Sequence, residues 1–288
     1  MLLYLYRHHP GEFKPLSGKY EMERPFQTTC RPTRIRPRPI DTSGRKEYNF
    51  SWSGDMENRS VHPTASQTEY RPLIILLLVP VLLTCLRYYG WDDYYVHMTG
   101  DSESVCPQYY FFISSFLLLG IIPALIWRFG FRQSLEEMGL GPGDLSYGLK
   151  IAAAGVPLMI FLSYFSAGNA EFTAEYPLFR GLVDDRAGII PYFVLYGLYY
   201  IGWEAFFRGF MLFGLRSRFG DAAAILIQTI PSCLMHIGKP KAEIFASIVA
   251  GIAFGAIVLR CRSIWPIFLC HWCLGVSLDI FIIRGGPQ

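Results

Sequence analysis

Seven apolar stretches follow one another from residue 73 to residue 283, each too long and too uniformly hydrophobic to be one face of a soluble helix. They run Leu73 to Leu86, Tyr109 to Trp127, Leu149 to Phe165, Ile189 to about Leu212, Ala222 to Ile237, Ile244 to Leu259 and Ile264 to Ile283. A bilayer core takes about 20 helical residues to cross, so the pattern predicts an all-α fold, a polytopic transmembrane helix bundle with about seven spans. The first stretch is short and needs Pro72 and Arg87 to Tyr89 at the interfaces. Prolines at 80, 123, 157, 191, 231 and 266 fall in or at the ends of these stretches, which membrane bundles tolerate when neighbours satisfy the freed carbonyls.

Residues 1–69 carry no such periodicity. Arg and Pro alternate from Arg31 to Pro39, a run that suits neither helix nor central strand. The segment reads as a disordered, basic, Pro/Arg-rich cytoplasmic tail or as the product of a misplaced start codon, and residues 70–288 as the transmembrane domain. The first 60 residues hold eleven Lys or Arg against seven Asp or Glu. Beside a membrane that excess points to anionic lipid as the partner and away from nucleic acid, because the aromatics there follow no pattern.

Composition agrees with the hydropathy. Charged residues make up 17% of the chain and apolar ones 52%, against about 25% charged in soluble domains. Seven cysteines without paired spacing make no disulfide framework. Cys270 and Cys273 read as small buried apolar residues.

Loop charges set an orientation. The Gly90–Gln108 loop has four acidic residues and no Lys or Arg, whereas Arg128 and Arg132, Arg216 and Arg218, and Arg260 and Arg262 mark alternate loops. By the positive-inside rule the N-terminus is cytoplasmic and the C-terminus outside, in a plasma (inner) membrane.

Ionisable side chains within spans mark functional sites by default. Glu204 and Arg208 lie four apart on the fourth stretch, His236 ends the fifth, and His271 sits in the seventh. Glu204 reads as the only acidic side chain inside any span. Each residue alone has a bland reading: an ion pair, a helix-end histidine, a hydrogen-bonded core histidine. Taken at 1.5 Å rise per residue, the depths of Glu204, His236 and His271 let all three meet in one half of the bilayer. One carboxylate and two imidazoles can bind zinc with a fourth position left for water, or can polarise a water directly.

At these residues the chain resembles the CPBP intramembrane proteases, which include type II CAAX prenyl endopeptidases and Abi, bacteriocin-immunity-like proteins. The resemblance covers about residues 110–283. Trp203-Glu204-Ala205-Phe206-Phe207-Arg208-Gly209 matches a Glu-Glu-x-x-x-Arg motif with Trp203 at its first Glu. Ser232 to His236 matches Phe-x-x-x-His with Ser232 for Phe, and His271 to Gly275 matches His-x-x-x-Asn with Gly275 for Asn. Leu135 to Leu140 resembles the loop upstream of a core helix. The resemblance implies an intramembrane metalloendopeptidase cleaving a membrane-associated, possibly prenylated peptide or protein. Glu204, Arg208, His236 and His271 form its site: His236 and Glu204 activate water, His271 stabilises the oxyanion, and Zn2+ is a possible cofactor on Glu204, His236 and His271.

The three departures keep an alternative open: a catalytically silent family member that binds a membrane peptide as an immunity or scaffold protein. A carrier, the third class, would need internal repeats, and none is found. Which of two neighbours faces the site also stays open. Either Trp203 fills the cavity, or the helix turns or unwinds at Gly202 and Glu204 reaches the water.

Overall fold

The computed structural model describes residues 70–183 and 188–286. Expectations for residues 1–69 lie outside the described residues. Those described are helical, without strands. The elements in order are α1 (Tyr70–Cys85), α2 (Asp92–Thr99), α3 (Cys106–Ser115), α4 (Ile122–Leu125), α5 (Leu145–Ser166), α6 (Ala170–Glu175), α7 (Ile189–Glu204), α8 (Leu212–Leu234), α9 (Lys241–Cys261) and α10 (Trp265–Ile283). Five helical stretches are long and apolar enough to cross a membrane: Tyr70–Thr99, Cys106–Gly130, Leu145–Ser166, Lys241–Cys261 and Trp265–Ile283. The chain is an integral membrane protein.

The fourth and fifth expected spans are helical too. α7 runs through a π-helical turn, Ala205–Met211, into α8. α8 reverses at Gly220, whose φ of 76° and ψ of 167° are not helical and suit a residue without Cβ. The break expected between these two spans therefore falls at Gly220, where two helices meet at a kink.

The first stretch belongs to one of the five membrane-length segments, Tyr70–Thr99. At its start Arg71 stacks over Trp127 and Phe131, with centroid distances of 5.6 and 5.7 Å. At its far end, the Tyr110 hydroxyl donates to the Tyr89 carbonyl. Trp127 and Tyr110 end opposite ends of the same apolar stretch, so α1 runs its full height beside it. Further polar contacts fall into two groups. On one side Arg260 pairs with Asp144 at 3.1 Å, Ser263 Oγ donates to the Gly141 carbonyl at 2.8 Å and Trp265 Nε1 to the Leu140 carbonyl at 2.9 Å. On the other Lys239 pairs with Glu175 at 2.6 Å, Lys241 with Glu171 at 3.2 Å, and the Tyr176 hydroxyl donates to Glu243.

α7 and the π turn after it form the centre. Every residue from Gly202 to Leu215 is buried. Glycines let the neighbours close in, as small residues do between membrane helices. A Cβ on Gly202 would stand 3.0 Å from the Phe116 backbone, and one on Gly209 2.9 Å from the Met138 carbonyl. Met138, in the turn expected upstream of a core helix, is fully buried there. By contrast α5 leaves Leu149, Leu158, Phe161 and Phe165 exposed, apolar surface that a bilayer covers. Wider π turns also follow Ser115 and Leu125, bracketing Pro123, which cannot donate to the carbonyl four residues back.

Two outcomes test this architecture. A reporter active only in the cytoplasm should give signal when fused after Arg218 and none after Ser104; the reverse would invert the orientation. Asp144 caps α5, accepting from the Tyr147 N–H at 3.0 Å, and that hydrogen bond, aided by Arg260, holds its carboxyl below the usual range. A lowered folded pKa stabilises above the unfolded value of about 4 and is lost as pH falls through the folded one. Asp144→Ala should therefore lower the melting temperature at pH 7, with the gap to the parent closing as the pH drops below about 4; a gap independent of pH would refute the role.

Candidate active site

The chain brings the expected residues to one place in two pairs. Glu204 closes α7 with no solvent exposure. Its Oε1 accepts from His271 Nδ1 of α10 at 2.7 Å. Arg208 lies one turn on, within the π turn, with Nε 3.4 Å from Glu204 Oε2 and Nη1 3.5 Å from Oε1. These are ion-pair distances rather than tight hydrogen bonds, and Glu204 Oε2 has no hydrogen-bond partner. Arg208 is 2% exposed, and its guanidinium also faces the rings of Phe207 and Phe254 at 5.9 and 5.7 Å. A charge this deep needs its partner, so the three side chains stand or fall together. His271 is the part that meets the outside: its side chain keeps 17% of its surface.

His236 joins from the turn that ends α8. Its Nδ1 lies 2.7 Å from the Ser232 carbonyl. A carbonyl and a carboxylate only accept, so Nδ1 carries the hydrogen in both histidines and each Nε2 lone pair is free when the ring is neutral. Trp203 packs edge-on against His236, with ring centroids 5.4 Å apart. At 3% exposure its Nε1 finds no acceptor.

α7 keeps its helical form through Gly202, which is pressed against the Phe116 backbone. The expected choice between Trp203 and Glu204 thus resolves into both: Trp203 faces His236, and Glu204, about 100° further round the helix, faces His271. The widening comes after Glu204, not at Gly202.

Zinc was expected on Glu204, His236 and His271. Among the described residues no group of three His, Cys, Asp or Glu side chains gathers around a common point. Glu204 and His271 hold each other directly instead of sharing a third atom. The donor set as arranged does not fit a three-ligand ion, and no step below is drawn through one.

One buried acid escaped the sequence reading. Asp279 lies inside α10, fully buried, so Glu204 is not the sole acidic residue within the spans. The buried Tyr192 hydroxyl is the polar neighbour of its carboxyl, without a hydrogen bond of full geometry. Spacing was the available signal: 271, 275 and 279 are each four apart, so they share a face of α10, as Tyr192, Tyr196, Tyr200 and Glu204 share one of α7.

All four candidate residues fall within residues 185–276, which match the family model for Type II CAAX prenyl endopeptidase Rce1-like. That stretch is thus similar to a CAAX-protease domain. The match is narrower than the 110–283 core expected, and it takes in Trp203 and Gly275 as well. No curated protein and no solved structure matches the chain. The match supports a CAAX-protease kind of function.

A prediction follows for the buried acid. Asp279→Asn removes a buried acid and keeps a polar partner for the Tyr192 hydroxyl, so the melting temperature in detergent should stay level or rise. A clear fall would mean that the carboxyl is held by an interaction other than those described.

Proposed function

We propose that this protein is an intramembrane endopeptidase of CAAX type whose general base is His271, oriented by Glu204. The observation that carries this reading is the 2.7 Å contact between His271 Nδ1 and Glu204 Oε1. A buried carboxylate that accepts from Nδ1 fixes the tautomer, aims Nε2 outward and stabilises the imidazolium that forms. His271 is partly accessible where Glu204 is sealed, so the ring, and not the carboxylate, meets water.

The steps balance without an added reagent. His271 Nε2 removes a proton from water as the water oxygen bonds to the peptide carbonyl carbon. The tetrahedral intermediate collapses, the C–N bond breaks, and the imidazolium returns the proton to the leaving nitrogen. Arg208 does not touch the reacting atoms; its charge offsets that of Glu204, which has no solvent access. His236, locked with Nε2 free, is placed to accept a hydrogen bond from the water or the substrate amide. Relative to the expectation from the motifs, His271 takes the base's role given to His236, and neither histidine serves the oxyanion. The substrate would be a membrane-anchored peptide or lipidated protein, a prenylated C-terminus among them, reaching the site from the bilayer, with membrane lipids around the bundle.

A second reading has its own observation. Trp203 lies against His236 where the resemblance places a carboxylate, and an indole accepts no proton. A silent member that holds a peptide beside His236 and His271 without cutting it would look the same at that point.

Two variants separate the readings. Glu204→Gln should lower both melting temperature and turnover, because Arg208 is left buried and unpaired. Adding Arg208→Met removes the stranded charge, and stability should return. Turnover of a farnesylated fluorogenic peptide should stay down by about 10³- to 10⁴-fold, as when the carboxylate behind a catalytic histidine is neutralised. Restored stability with restored turnover would remove Glu204 from the mechanism. A parent protein that cleaves no peptide would favour the silent reading.

A further inference from the structure

Hydrolysis by His271 produces an oxyanion, and something must donate to it. Both histidines spend Nδ1–H on fixed acceptors, Arg208 is held beside the Glu204 carboxylate by charge, and the Trp203 indole lies against His236, away from His271. On α10, one turn beyond His271 and on the same face, residue 275 is a glycine and brings no side chain. The space there is not empty. A Cβ built on Gly275 would overlap the Tyr200 hydroxyl oxygen and stand 3.0 Å from Tyr200 Cζ and 3.1 Å from Tyr196 Cε1. The phenol of Tyr200, reaching across from α7, therefore occupies the room that a side chain at 275 would use.

The same ring lies on His271, with centroids 4.6 Å apart, so the hydroxyl and the base are held in one fixed relation. Tyr200 is 6% exposed. Its only hydrogen bond among the described residues is to another phenol, Tyr196, at 3.0 Å between the oxygens. Each phenol both donates and accepts. The pair can therefore turn about: Tyr196 donates to Tyr200, and the hydrogen of Tyr200 becomes available without leaving an oxygen unsatisfied. A phenol that receives one hydrogen bond is a better donor of the next.

We infer that the Tyr200 hydroxyl is the oxyanion donor of this site, admitted by Gly275 and backed by Tyr196. The inference rests on the reading of His271 as base. Water attack at the carbonyl carbon moves the C=O π electrons onto oxygen, and the Tyr200 hydrogen bond to that oxygen strengthens as the charge develops. No proton is transferred to it and no bond to Tyr200 forms. Gly275 then has a steric reason to be glycine: any side chain there would push the hydroxyl away.

The test uses the full-length protein in detergent micelles with a farnesylated fluorogenic peptide. Tyr200→Phe keeps the ring on His271 and removes the hydroxyl. Turnover should fall about 10²- to 10³-fold, the loss typical of one oxyanion donor, with KM and melting temperature close to the parent. Tyr200→Ala combined with Gly275→Asn frees the space and supplies an amide donor from α10, and should recover at least tenfold of the kcat lost in Tyr200→Ala alone. Unchanged kcat in Tyr200→Phe, beside an inactive His271→Ala, would overturn the inference and leave the His271 reading standing. A kcat loss that merely follows a lower melting temperature would also overturn it. A parent that cleaves nothing would remove both.

Discussion

A carboxylate with no access to solvent sits inside a bundle built for lipid, and Glu204 can stay there only because Arg208 and His271 compensate it. Isolated charges in such surroundings cost several kcal/mol even after relaxation. The arrangement around them follows from that constraint. α7 must carry both Glu204 and Arg208 on one side, α10 must present His271 at their level, and the glycines at 202 and 209 must let the α3 region and the Met138 turn close over them. The aromatic residues from Tyr199 to Phe213 then exclude water from the interior side. What remains open is the outer edge of the imidazole.

The π turn from Ala205 to Met211 is part of the same arrangement. It widens the helix directly after Glu204, in the stretch that carries Arg208. π turns cost hydrogen-bond geometry and recur at functional sites. Here the looser Arg208–Glu204 distances of 3.4 and 3.5 Å leave Oε1 to make its short bond to His271. The guanidinium acts by charge, while the imidazole has the directed contact. That division suits a carboxylate whose task is to orient a base.

Much of this was legible in the sequence, for identifiable reasons. Apolar runs of membrane length announced the helices, and four ionisable residues within them announced the site, since such residues are rare in lipid. Helix periodicity also put Glu204 and Arg208 on one face. The assignment of histidines was not legible: the depths derived from a rise of 1.5 Å per residue brought three side chains to one level but did not say which imidazole would touch the carboxylate. The π turn left no mark in composition, whereas the gap between the fourth and fifth apolar stretches brackets the Gly220 kink. Asp279 was readable at a spacing of four from His271 and Gly275, yet an acid near a helix end resembles an interfacial residue. Tyr200 carries no mark of its own among the aromatics of α7; only its fit against Gly275 distinguishes it.

The central claim is that Glu204 holds His271 with its hydrogen on Nδ1. Nitrogen-15 NMR of histidine-labelled protein in micelles, with His271 assigned by its loss in His271→Gln, reads the tautomer directly. The account predicts a neutral His271 protonated at Nδ1 with a bare Nε2, and a change in that signal in Glu204→Gln/Arg208→Met. A His271 protonated at Nε2, or a signal indifferent to Glu204, would contradict it.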